Sequence, residues 1–186
     1  MTSLFAKKTV RLAIIGLLGC SVSAIAATPK NTVPYNPPGV ILDLKKKNLS
    51  LVKTGSYLVN AIGNCNSCHV APAAAPISNS VYAAGGDPFK DGKEIIDPLR
   101  FLGGGRKFGA APAQVTANEL TPDAAGNPGK LTLKQFITVM RTGKDPDDAS
   151  KTIQTMPWPI YKNLTDHDLK AMYEYFRALP VTPAKP

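Results

Sequence analysis

The sequence predicts an all-α protein, on three observations. Three stretches carry apolar residues at the helical period, and two of them open on the residue spacing of a capping box. No stretch alternates apolar and polar residues convincingly enough to read as a strand. The segments between the helices are dense in proline and glycine, the composition of connecting loops. With 186 residues, the chain is long enough for one domain with its own core.

Met1 to Ala26 reads as a signal peptide: Lys7, Lys8 and Arg11 form a positive start, Leu12 to Gly19 is apolar, and Ala24-Ile25-Ala26 offers small residues for cleavage. The apolar stretch is short for a spanning helix, which needs about 20 residues. Cleavage after Ala26 leaves 160 of the 186 residues and takes the formal charge from +9 to +6, because three basic residues and no acidic ones depart. A basic balance suits nucleic acid, an anionic membrane surface or an acidic protein, and export argues against nucleic acid. Leu17-Leu18-Gly19-Cys20 resembles a bacterial lipidation site, although leucine directly before the glycine is unusual there. The expectation is a periplasmic protein with Cys20 discarded; lipidation of Cys20 is the alternative and would anchor the chain to the membrane.

Residues 27–47 read as an extended arm, with Pro29, Pro34, Pro37 and Pro38 followed by the basic run Lys45-Lys46-Lys47. Asn48 to Ile62 reads as the first helix. Ser50 is its candidate N-cap, and Leu51, Tyr57, Leu58 and Ile62 carry most of its apolar side. Gly55 is costly inside a helix, by roughly 1 kcal/mol against alanine; a close helix crossing and simple tolerance of the glycine are equal readings of it.

That helix runs into Cys65-Asn66-Ser67-Cys68-His69. Cys-x-x-Cys-His is the attachment signature for a c-type haem. The two thiols add to the two vinyl groups, and the adjacent imidazole reaches the iron from one face. A zinc half-site would want a second ligand pair, and Cys20 and His167 are the other candidates. A redox dithiol would want a βαβ context, which is absent.

Val70 to Gly109 contains Pro72, Pro76, Pro88, Pro98 and Gly103-Gly104-Gly105, and predicts loop with at most short helices or a small hairpin. The glycine run is not a phosphate loop, since no strand precedes it and no Gly-Lys-Ser/Thr follows. Leu131 to Thr142 is the second helix. Thr132 and Gln135 are spaced as a capping box, Leu133, Phe136, Ile137 and Met140 share a face, and Gly143 ends it. Thr165 and Asp168 open the last helix, whose face is Leu169, Met172, Phe176 and Leu179, with Tyr173 beside it; Pro180 stops it. The tail 181–186 is expected to be mobile.

A second axial ligand is sought among the methionines and His167. Met140 and Met172 lie on apolar helix faces and read as core. Met156 lies in the loop Thr155-Met156-Pro157-Trp158-Pro159, where two prolines stiffen the chain. A rigid loop can hold a weak thioether against iron, and the soft sulfur favours iron(II). His167 reads as an exposed residue in the first turn of the last helix.

In its order of elements the chain from about Leu49 to Pro180 resembles class I cytochrome c, and more closely the cytochrome c domains of bacterial periplasmic dehydrogenases. The residues that carry this are Asn118-Glu119-Leu120-Thr121-Pro122-Asp123, Phe136, Arg141-Thr142-Gly143, Met156-Pro157-Trp158, Leu164-Thr165-Asp166-His167-Asp168-Leu169 and Tyr175. The resemblance implies a few helices wrapped around one covalently bound haem, in a domain spanning 48–180. It implies His69 and Met156 as the iron ligands, and Asn118 and Arg141 near the haem pocket. It also implies a crossing of the first and last helices that would set Gly55 against Tyr173, Tyr175 or Phe176. Asn118 and Thr121 are one residue further apart than in the family pattern. Val70 to Arg100 reads as a long loop insertion, and this chain has one haem motif where several relatives carry more.

The function expected is a periplasmic mono-haem electron carrier between a dehydrogenase or other donor and a respiratory acceptor, transforming no substrate itself. An open-site haem protein, peroxidase-like or a gas sensor, is the first alternative. A permanent electron-relay subunit of a dehydrogenase complex is the second.

Overall fold

The last helix sets the frame. Thr165 caps it by accepting from the Asp168 N–H, and Asp168 returns the bond to the Thr165 backbone, so α5 (Asp166–Ala178) opens on the expected capping box. Leu169, Met172, Tyr175 and Phe176 are buried along it. The computed structural model describes residues 34–37, 39–70 and 98–181. The expected signal peptide with Cys20, the arm before Pro34, the insertion from 71 to 97 and the tail beyond Val181 lie outside the described residues.

In chain order the elements are α1 (Leu49–Tyr57), which continues as a π-helical turn (Leu58–Ile62), then α2 (Asn66–His69), β1 (Lys107–Phe108), β2 (Val115–Thr116), α3 (Leu133–Thr142), α4 (Trp158–Tyr161) and α5. The two short strands pair antiparallel, with Lys107 opposite Thr116 and Phe108 opposite Val115. Among the described residues the regular elements are therefore helices apart from this hairpin, joined by long irregular loops.

Asn48, not Ser50, caps α1: its side chain accepts from the Leu51 N–H at 3.2 Å. The buried face also differs from the one expected. Leu51 is buried, but Val52, Gly55, Ser56 and Val59 complete the face, while Tyr57 and Ile62 are 58% and 59% exposed. The reason is the crossing with α5. A Cβ on Gly55 would stand 2.0 Å from the Ala171 carbonyl oxygen and 2.8 Å from the Tyr175 Cβ, so only glycine admits this approach. The helices meet on small residues, which apolar periodicity does not mark.

The chain before α1 is not a free linker from residue 34 onward. Pro37 and Val40 are buried, and the Asp43 N–H donates to the Ala178 carbonyl at 2.8 Å. Ser56 donates to the Tyr35 carbonyl, and the Tyr175 hydroxyl donates to Asn36 Oδ1 at 2.7 Å while accepting from Asn60 Nδ2 at 3.1 Å. These bonds satisfy hydroxyl and amide groups on the α1–α5 interface. α3 packs on the same helix through Phe136, whose ring lies 5.7 Å from that of Tyr173 and 6.0 Å edge-on from that of Phe176.

Candidate haem site

The π-turn delivers the cysteine motif. The Gly63 N–H reaches back five residues to the Leu58 carbonyl at 2.7 Å, and the Cys65 N–H bonds the Val59 carbonyl at 3.1 Å. The widened turn ends the helix and swings the chain into α2. The Cys68 and His69 N–H groups both return to the Cys65 carbonyl, at 3.3 and 3.0 Å. Cys65, Cys68 and His69 thus stand at i, i+3 and i+4 on one helical turn, the spacing that places side chains on a common face.

His69 Nδ1 lies 2.6 Å from the Asn118 carbonyl oxygen. A carbonyl only accepts, so Nδ1 carries the proton and donates, leaving Nε2 with its lone pair for a metal. The Gly103–Gly105 run makes this contact possible. The Gly104 N–H donates to the His69 carbonyl at 2.7 Å, and the Gly105 N–H to the Ala117 carbonyl at 2.7 Å. Gly104 has φ +65°, and a Cβ there would lie 2.3 Å from the Glu119 nitrogen and 2.5 Å from the Asn118 carbonyl carbon. The run is a docking surface for the segment that holds the histidine. Asn66 adds a tie from inside the motif, its Oδ1 accepting from the Leu102 N–H at 2.9 Å.

Beside this wall is a cavity of about 690 Å³, within the range of about 300–1,000 Å³ for cofactor sites. Cys65, Cys68 and His69 line it, as do Phe108 and Val115 of the hairpin and Phe136 of α3. Burial, aided by the neighbouring Cys68, pushes the Cys65 thiol up to about 12. Burial also lowers the His69 pKa, against the opposing effect of the Asn118 carbonyl. Burial therefore favours a neutral Cys65 thiol and a neutral imidazole. Zinc binding or dithiol redox chemistry would call on thiolates. Thiols on one edge, a lone pair on a fixed imidazole and a large apolar cavity are what a covalently attached haem requires.

Met156 is half-buried and lines the same cavity. Its loop is pinned at several points. The Ile153 N–H donates to the Gly143 carbonyl at 2.7 Å, the Met156 N–H to the Gln154 carbonyl at 2.8 Å, and the Trp158 N–H to the Met156 carbonyl at 2.9 Å. Gly143, in the left-handed conformation that ends α3, lies under the Trp158 ring; a Cβ there would come within 2.2 Å of it. Met140 and Met172 are buried core residues as expected, and both also reach the cavity wall.

Asn118 lines the cavity, but its contact with His69 is made by its backbone carbonyl. Arg141 is not among the lining residues. Its guanidinium donates to the Lys162 and Leu164 carbonyls and to Asp166 Oδ1 at 2.6 Å, tying α3 to the start of α5. His167 is exposed on α5 and does not line the cavity. Sequence reasoning missed Tyr161, which lines the cavity and donates to the Gly63 carbonyl at 3.2 Å. Burial raises its phenol pKa, and the thiol groups of Cys65 and Cys68 raise it further. Its place five residues after Met156, in the same stiff loop, was the available signal.

No family model matches the chain. It is 28% identical over 127 residues to the cytochrome c subunit of alcohol dehydrogenase (quinone) from Gluconobacter oxydans (strain 621H), covering 68% of this chain and 21% of that protein. It is 28% identical over 129 residues to the gluconate 2-dehydrogenase cytochrome c subunit of Pantoea cypripedii, covering 69% and 23%. Over 76 residues, 41% of this chain and 15% of the relative, it is 33% identical to the fructose dehydrogenase cytochrome subunit of Gluconobacter japonicus. The chain spans about a fifth of the length of the curated relatives it matches.

Proposed function

From a chain similar to the cytochrome c subunits of bacterial dehydrogenases, we infer a mono-haem c-type cytochrome. It is exported to the periplasm and carries electrons from a dehydrogenase or other donor to a respiratory acceptor. The observation that carries this reading is a single cavity lined by Cys65, Cys68, His69 and Met156. Its imidazole is oriented by a bond to Nδ1, which leaves Nε2 for the iron. Cys65 and Cys68 would hold the haem through thioethers, with His69 and Met156 as axial ligands. When bound, haem supplies an iron that alternates between Fe(III) and Fe(II).

The chain's own residues do the rest. The apolar walls would keep water from the metal, burial keeps His69 neutral, and the Asn118 carbonyl keeps it aimed. The pinned loop would hold the methionine sulfur at the cavity wall without large rearrangement. No residue here is asked to bind or transform a substrate.

The reading is tested on the purified protein. Haem that stays with the polypeptide in acid–acetone, at one haem per chain by mass, is expected. Haem that partitions into the organic phase overturns it. A second reading, a permanent electron-relay subunit, is favoured by the relatives' names as subunits of alcohol, gluconate and fructose dehydrogenases. Co-purification of a dehydrogenase at fixed stoichiometry through high salt separates it from a free carrier.

A further inference from the structure

The loop that carries Met156 ends in α4, a single turn. Pro157 and Pro159 restrict the backbone on either side of Trp158, and the Trp158 N–H closes back on the Met156 carbonyl at 2.9 Å. Residues 156–161 therefore move as one piece. The piece leans on α3 through Trp158 on Gly143, and just beyond Tyr161 the Arg141 side chain of α3 holds the Lys162 carbonyl. At Tyr161 the piece also reaches the cysteine segment. There the Tyr161 hydroxyl donates to the Gly63 carbonyl at 3.2 Å. Gly63 closes the π-turn and lies two residues before Cys65. A Cβ built on it would stand 3.1 Å from the Cys65 Sγ and 3.8 Å from the Tyr161 hydroxyl, so the tie lies beside the thiol.

We propose that Tyr161 is a positioning residue that latches the Met156 loop to the cysteine wall and keeps the sixth-ligand side of the haem closed. The inference rests on the reading of Met156 as an axial ligand. The logic is mechanical. α3 and the cysteine segment are separate elements, and Met156 must sit at a fixed height between them. The ties to α3 fix the loop on one side. The Tyr161–Gly63 bond ties it to the cysteine segment, and without that bond the spacing between loop and segment, and with it the height of the sulfur, is less firmly held.

The test uses the haem-loaded protein and three single variants. The far-red absorption band of the oxidised wild type, and its loss in Met156→Ala, establish the ligation on their own. In a protein that has the band, the rate at which added imidazole replaces the methionine is then compared. Tyr161→Phe keeps the ring and removes the bond. It should accelerate replacement roughly three- to tenfold, the range that one neutral hydrogen bond is worth. Tyr175→Phe is the control. It removes hydrogen bonds on the α1–α5 interface, outside the residues that line the cavity. It should lower global stability without altering the replacement rate. A wild-type rate in Tyr161→Phe overturns the proposal, and so does an equal acceleration in Tyr175→Phe. A wild type without the band defeats the ligation reading itself and takes the proposal with it.

Discussion

His69 Nδ1 and the Asn118 carbonyl oxygen are 2.6 Å apart, so the imidazole of the haem motif is oriented by a backbone group 49 residues away. Because the acceptor is a carbonyl, the contact survives a change of the Asn118 side chain. Asn118→Ala should leave the visible spectrum and the His69 tautomer as they are, with the unfolding free energy changed by less than about 1 kcal/mol. Loss of haem, or a shift in the ring-nitrogen resonances of His69, would show that the side chain itself is needed.

The glycine that admits this contact should be intolerant. Gly104→Ala sets a Cβ 2.3 Å from the Glu119 nitrogen at φ +65°, against backbone that cannot rotate away. The segment 117–120 must then retreat from His69. We expect a loss of about 2 kcal/mol or more in chemical denaturation, as for other alanines forced into left-handed backbone with a steric clash. Gly126→Ala shares the positive φ but meets nothing within 4 Å, and should cost less. Equal losses in the two variants would assign the effect to backbone conformation alone and remove the docking role given to Gly104.

Met156→Ala should abolish the far-red band and lower the reduction potential by on the order of 0.1 V or more, given the span that axial ligands cover. Met140→Ala and Met172→Ala also touch the cavity, but should act through packing, destabilising by about 2–5 kcal/mol as buried methionines do. If either of these removes the band while Met156→Ala keeps it, the ligand has been assigned to the wrong sulfur.

Arg141 ties α3 to the start of α5 from outside the residues that line the cavity. Its guanidinium meets two carbonyls and a carboxylate, an arrangement that one ammonium cannot reproduce. Arg141→Lys should cost about 1–3 kcal/mol in unfolding, while Asp166→Asn should cost much less, because that carboxylate is 82% exposed and the ion pair is screened. The haem spectrum should be unchanged in both. A changed spectrum in Arg141→Lys would restore the pocket role that the family resemblance implies.

Two helix starts were legible in the sequence because capping is local chemistry, whereas at α1 Asn48 and Ser50 both offer a capping side chain and Asn48 takes the place. Thr132 with Gln135, and Thr165 with Asp168, form the two boxes as their spacing implied. Gly55 alone left a close crossing and simple tolerance equally open, and the family resemblance pointed to the crossing that the contacts with Ala171 and Tyr175 make. The face of α1 was misread for the same cause: where helices cross on Gly55 and Ser56, the buried residues are small or polar and the large ones face out. The cysteine motif announced itself, but its support did not. The Asn118 contribution is a carbonyl, which every residue possesses, and Gly104 matters through a neighbour 14 residues on. The chain from Pro34 reads as linker by composition, yet it packs because Asn36 and Tyr35 meet polar groups that α1 and α5 leave on their interface.

The last prediction concerns the meeting with a redox partner. Two basic groups are candidates to ring an exposed haem edge: Lys45, Lys46 and Lys47 before the first helix, and Arg106 with Lys107 after the glycine run. They are not equivalent in the fold. Lys45 to Lys47 precede α1, and the 14 helical residues from Leu49 to Ile62 separate them from the cysteines by roughly 20 Å. Arg106 is exposed beside the motif. Its guanidinium donates to the Ser67 carbonyl, and lies 5.2 Å from the centre of the Phe108 ring that lines the cavity. Surface charge speeds encounter only when it faces the docking site, and salt screens it, with a Debye length falling from about 30 Å at 0.01 M to about 3 Å at 1 M. Electron transfer to an acidic partner should therefore slow as salt rises over that range. Arg106→Glu or Lys107→Glu should slow it severalfold at low salt, while the same reversal within Lys45 to Lys47 should change it little. A rate flat with ionic strength and indifferent to Arg106 would leave docking to apolar contacts, and a larger effect from Lys45 to Lys47 would move the interface to the far end of α1.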